Sequence, residues 1–150
     1  MTKSSQSAGK NDFYIYLAAF IDADGCVSIH KQPSTGGKTN YVPHVGISST
    51  CKKTIEYLDR KFKECEYGHY ITFRKVTNPN WTDRYVIEVR GMLRCKKILE
   101  DIVEYMVTKE DEAKIVLEFI RLRQSHSKMI PYSEEEMKCI ENVKLAKKNR

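Results

Sequence analysis

Between Leu17 and Gln32, in the run "LAAFIDADGCVSIHKQ", the apolar pattern changes its period with no loop between the two halves. Phe13, Tyr16, Leu17, Phe20 and Ile21 recur at three and four residues, the spacing of one helix face. Gly25 stops that helix, which the spacing places over about Asp12 to Asp22. The pattern then alternates, with Val27 and Ile29 on one face and Ser28, His30 and Gln32 on the other, as in a half-buried strand. Asp22 and Asp24 stand at the seam, where folding alone has little use for two carboxylates.

The alternation returns three times. After the turn "PSTGGKTN", a strand over about Tyr41 to Ser48 turns Val45 and Ile47 inward and His44, Gly46 and Ser48 outward. A helix follows, capped by Ser49 or Thr50, with Ile55, Leu58, Phe62 and Cys65 on its apolar face. A hairpin then places Ile71, Phe73, Tyr85, Ile87 and Val89 inward, and Tyr70, Thr72, Arg74, Arg84, Val86 and Glu88 outward. Helices are expected over about 91–106 and 108–124, the second opened by a Thr108/Asp111 capping box, and a last one is opened by Ser133 and Glu136.

The expected architecture is therefore α+β: an αββαββα core with a four-stranded antiparallel sheet, and additional C-terminal helices. Helices on one face would leave the other bare. The bare face would carry Ser28, His30, Gln32, His44, Ser48, Tyr70, Thr72, Arg74 and Arg84, with Glu88 its only acid. Polar outward residues are most simply a solvated face, but this set is donor-rich, basic and aromatic, which suits nucleic acid. The net charge of +6 and a pI near 9.0 point to a polyanionic partner too.

Other classes fall away on composition. A length of 150 residues fits one compact domain, placed at 12–150 behind a flexible lead-in over 1–11. Apolar stretches are interrupted every few residues, so no membrane association is expected. The five cysteines include no CxxC pair, which argues against a disulfide framework or zinc finger and for a reducing, intracellular compartment. The four histidines lack metal-ligand spacing, and no small-molecule substrate is expected.

"LAAFIDADG", Leu17 to Gly25, resembles the signature of the LAGLIDADG homing endonucleases, with Ala19 in place of the usual glycine. The resemblance extends over about residues 12–125, because αββαββα is that family's core. Physics accounts for the motif's parts. Ala19 and Ala23 share a helical face, where small side chains let a second helix approach closely. A helix C-terminus carries partial negative charge and suits carboxylates poorly unless a cation neutralises them, so a divalent metal with hard oxygen ligands is expected.

The resemblance implies an intron-encoded, site-specific DNA endonuclease, which makes a metal-dependent double-strand break in a long, near-palindromic target. It implies Mg²⁺ as cofactor, with Mn²⁺ substituting and Ca²⁺ binding without supporting efficient cleavage. Asp24 would hold the metal with the carbonyl of Ala23, and Asp22 would take a mainly structural or supporting role. Lys109, in "TKEDEAKIVL", falls at the position of a pocket lysine. Thr50 would order water, and Lys53 or Lys52 would supply a second basic group. The partners implied are double-stranded DNA and a second copy of the chain. Leu17, Ala19, Phe20 and Ala23 would form the dimer seam of a saddle-like sheet. The same fold serves intron maturases, which bind RNA, and DNA-binding regulators with degraded acids. A purely structural helix-packing module is a third alternative, disfavoured by the polar sheet face.

Overall fold

A computed structural model describes residues 2–34, 36–126 and 130–149, with side chains from residue 9 onward. The chain forms α1 (Thr2–Asp24), β1 (Gly25–Pro33), β2 (Thr39–Ser49), α2 (Lys52–Glu64), β3 (Tyr70–Arg74) and β4 (Arg84–Arg90). Then come α3 (Met92–Ile102), a 3₁₀ turn at Val103–Tyr105, α4 (Glu110–Gln124) and α5 (Glu134–Lys148). The strands make one antiparallel sheet in the order β1-β2-β4-β3.

The two periods in the sequence explain one core. Phe13, Leu17 and Ile21 of α1 meet Val27, Val45, Ile47, Ile87 and Val89 of the sheet, and Leu58, Phe62, Ile98, Phe119 and Ile140 come from the other helices. Each such side chain contributes about 1.5–3 kcal/mol by leaving water. Strand residues of the opposite parity form the open face.

Several elements differ from expectation. α1 starts at Thr2 rather than near Asp12, so the segment expected as a flexible lead-in continues the helix; Met1 lies outside the described residues. No proline falls between 2 and 24, and a single exposed glycine, Gly9, costs a helix only about 1 kcal/mol. Cys51, not Ser49 or Thr50, stands at the N-cap of α2; Ser49 Oγ accepts the Cys51 N–H at 3.1 Å. The inward side chains of β3, Ile71 and Phe73, stay half-exposed, because α2 packs on β4 and β2 and β3 lies at the sheet edge. The Thr108/Asp111 box does not form, since α4 has Lys109 at its N-cap without a side-chain cap of its own. The Ser133/Glu136 box does form, with both bonds at 3.2 Å. All five cysteines are free, and among the described residues no helix is long and apolar enough to cross a membrane.

Candidate metal and nucleic-acid site

α1 passes into β1 with no intervening residue. A Cβ at Gly25 would lie 2.7 Å from the Ile21 Cα, so the strand can leave the helix here only because that atom is missing. Around this junction α1 and α4 hold each other's ends. The carboxylate of Asp22 accepts the N–H of Val107 at 2.7 Å and of Lys109 at 2.9 Å, at the entrance to α4. In return Lys109 Nζ donates to the Ile21 and Asp22 carbonyls at 2.9 and 2.7 Å. Each charge sits at the helix end of favourable sign: the anion at the N-terminus of α4 and the cation at the C-terminus of α1. Asp22 is thereby stabilised by a second helix, and its place is structural.

Asp24 is different. It is exposed and makes no hydrogen bond or ion pair among the described residues. Ala23, beside it, is exposed too, while Lys109 is only 5% exposed, with its ammonium on the two carbonyls preceding Ala23. The fold therefore brings Asp22, Ala23, Asp24 and Lys109 to one point. Thr50 lies at the same end of the sheet, since Ile47 pairs with Gly25 and the chain runs on past the α1 tip. Lys53 is exposed in the first turn of α2, and Lys52 faces Glu56 at 3.9 Å.

The donors at this tip are hard: the Asp24 carboxylate and the Ala23 carbonyl, the Ile21 and Asp22 carbonyls being bonded to Lys109. Among the described residues no three His, Cys, Asp or Glu side chains cluster as a cage. A single carboxylate with a carbonyl fits Mg²⁺, which keeps several waters and completes its shell with substrate phosphates, rather than Zn²⁺.

The open face begins beside this tip. His30, Gln32, Tyr70, Thr72, Arg74 and Arg84 are exposed on it, and Ser48 is half-buried. Ser28 and His44, expected to read bases, are instead 4% and 6% exposed. His30 stacks on His44 with ring centroids 4.2 Å apart, and Gly46 makes the space, for a Cβ there would meet His44 Cε1 at 2.8 Å. Period two assigns a side chain to a face but not to its depth in that face. Arg90 was missed: it continues the outward series of β4 one step past Glu88, and its Nη2 lies 3.3 Å from Glu88 Oε2. Lys147, from the last turn of α5, also reaches this face, 3.5 Å from Cys26 Sγ.

Burial, reinforced by neighbouring His30, pushes the His44 pKa from 6.5 down to about 4, although Glu88 pulls it the other way. Burial and then Arg90 lower His30 as well. A depressed histidine favours folding while it is neutral. This stability is complete above 6.5, the ordinary value, and is lost as pH falls towards about 4. The loss is on the order of 3 kcal/mol at its limit. His44→Phe keeps the ring stack and removes the titration, so its melting temperature should fall less than the parent's between pH 7 and pH 4. Parallel melting curves for the two proteins would refute this.

On the outer side of α1, Tyr16, Ala19 and Ala23 are exposed and Phe20 is half-buried, a continuous apolar stripe. Leu17, expected in the dimer seam, is fully buried in the chain's own core. It lies on the helix face of Phe13 and Ile21, the opposite one.

No family model matches the chain, and no curated protein matches it in sequence. Solved structures do match in fold. I-CvuI, a homing endonuclease solved in complex with its target in the presence of 2 mM Ca, superposes with a TM-score of 0.62 at 19% identity, over 91% of this chain and 97% of that one. I-TnaI, another homing endonuclease, gives 0.61 at 18% identity, over 91% and 96%. The LAGLIDADG homing endonuclease I-GzeII, in complex with a DNA target, gives 0.61 at 16% identity. This chain thus has the fold of the LAGLIDADG homing endonucleases. Within that fold it is of single-unit size, covering 97% of I-CvuI but only 42% of I-GzeII.

Proposed function

We propose that the chain is a site-specific DNA endonuclease, which makes a double-strand break in a long, near-palindromic target as a homodimer. The observation that carries this reading is the exposed Asp24 carboxylate. Among the described residues it has no internal partner, and it stands on a helix tip that Asp22 and Lys109 brace, beside an open basic sheet. Structures of the same fold bound to DNA targets support it.

Asp24 and the Ala23 carbonyl would hold Mg²⁺, which when bound lowers the pKa of water and stabilises a leaving 3′ oxygen. Mn²⁺ is expected to substitute, and Ca²⁺ to bind without efficient cleavage. Lys109 keeps a positive charge at the tip, where it offsets charge gathering on the phosphate. Thr50 orders the attacking water, and Lys53 supplies a second basic group at the rim. On the open sheet, His30, Gln32, Arg74 and Arg84 face the major groove, where Gln and Arg can make paired contacts to bases. A strand of six to eight residues covers about 20–25 Å, or about six to eight base pairs per sheet.

The chain carries one Asp24-bearing motif, and two strands need two such centres. A closed two-fold dimer supplies them. Tyr16, Ala19, Phe20 and Ala23 offer the contact. Because Ala19 is exposed, Ala19→Leu should leave the monomer's melting temperature unchanged while overfilling the seam. It should weaken dimerisation by about 1–3 kcal/mol, read by sedimentation at micromolar concentration. A chain that sediments as a monomer both free and on its site would contradict the two-centre reading.

The direct test is incubation of the purified protein with a library of double-stranded sites and Mg²⁺. Cuts in both strands at one enriched sequence are expected. Sequence-specific binding with no cleavage in Mg²⁺ or Mn²⁺ would favour a regulator, and preference for structured RNA a maturase.

A further inference from the structure

Glu88 is the one acid on the outward side of the four strands, an unwelcome charge for a surface that meets phosphates. It is also the most sheltered charge there, its side chain 13% exposed beside Arg74 at 54% and Arg90 at 50%. Its two oxygens face different arginines. Oε1 lies 3.9 Å from Arg74 Nη2, and Oε2 lies 3.3 Å from Arg90 Nη2. The uncharged ring of His44, fixed beneath His30, stands 3.7 Å from Oε1 and walls the carboxylate in.

The two arginines come from different strands. Arg74 pairs with Arg84 at the far end of β4, and Arg90 closes the near end. Arg90 stands six steps along the strand from Arg84, about 20 Å at roughly 3.3 Å per residue. Left alone, two long flexible cations would sample many rotamers. A shared carboxylate between them draws both guanidinium groups towards one point before any ligand arrives. Arginine reads guanine through a fork to O6 and N7, and that fork demands orientation as well as charge.

From this geometry we infer that Glu88 is a positioning residue, which holds Arg74 and Arg90 as one preset unit for reading two guanines. The inference rests on the DNA-recognition reading above.

The test is selection of bound sequences from random double-stranded DNA by the parent chain and by the Glu88→Gln, Arg74→Ala and Arg90→Ala variants. Each arginine variant should relax one guanine position. Glu88→Gln keeps shape but loses charge, and should relax both of those positions by at least about fivefold, within the range for a lost paired base contact. Its affinity for non-specific DNA should rise at the same time, because a negative charge has left the phosphate-facing surface. An effect through misfolding would lower both, and an unchanged melting temperature excludes it. A Glu88→Gln profile identical to the parent's overturns the positioning role. So does a change at a third position that neither arginine variant touches, since Glu88 would then read a base itself. A parent chain that enriches no sequence overturns the recognition reading instead.

Discussion

In the Asp24→Asn protein, strand cleavage should fall at least a hundredfold to a thousandfold, while affinity for the target holds or rises. The lower bound is the range for losing one group that stabilises a transition state. The substitution is isosteric, and Asp24 is exposed with no internal hydrogen bond to lose among the described residues, so melting temperature should not move. The sheet that reads sequence is untouched, and a negative charge near phosphate is removed. Binding by gel shift and cleavage in Mg²⁺, measured on one preparation, separate the two properties. Cutting at near the parent rate would remove Asp24 from the chemistry. A parallel loss of binding would make it a plain contact.

Lys109→Ala should lose both rate and stability, a combination that a solvated surface lysine would not produce. Its ammonium is bonded to two carbonyls at the end of α1, and Asp22 returns two bonds to the start of α4. Removing the cation strips those carbonyls of a charged donor, at about 3 kcal/mol for a nearly buried position. For a domain of this size that corresponds to a melting temperature lower by about 6–12 °C. Asp22→Ala should cost a similar amount, and the double variant less than the sum by about 1–2 kcal/mol, because each residue braces the same seam. Below the melting temperature, Lys109→Ala should still cut more slowly with little change in binding. Additive losses in the two single variants would show that the two ends are not coupled.

The sheet was legible because one of its faces is buried. Alternation at Val27/Ile29, Val45/Ile47 and Ile87/Val89 leaves only one register that hides them all. The last helix was legible through Ser133 and Glu136, which are neighbours in sequence and in space. The α1 tip was harder. A dipole argument made helix by helix finds Asp22 at a negative end and Lys109 at a positive one, both misplaced. The helix end that suits each belongs to its partner, 87 residues away for the Lys109–Asp22 bonds, and no local pattern announces it. Leu17 escaped for a similar reason. The motif marks a helix without saying which of its faces the chain keeps for its own core. Ser28 and His44 were assigned to the right face, yet His30 roofs His44 and takes that ring out of reach.

The absence of a loop at Gly25 gives the proposed nuclease a ruler. The group that cuts and the strand that reads share one backbone, so the spacing between the broken bond and the recognised bases is set covalently. From Asp24 to His30 the strand advances about 20 Å, roughly six base pairs of duplex. Side chains at His30 or Gln32 can then be exchanged to change which bases are preferred, and the break will fall at the same offset from them. Changing the offset would take an inserted or deleted residue at the junction. A side chain at Gly25 would instead drive the strand away from Ile21 and put cutting and reading out of phase.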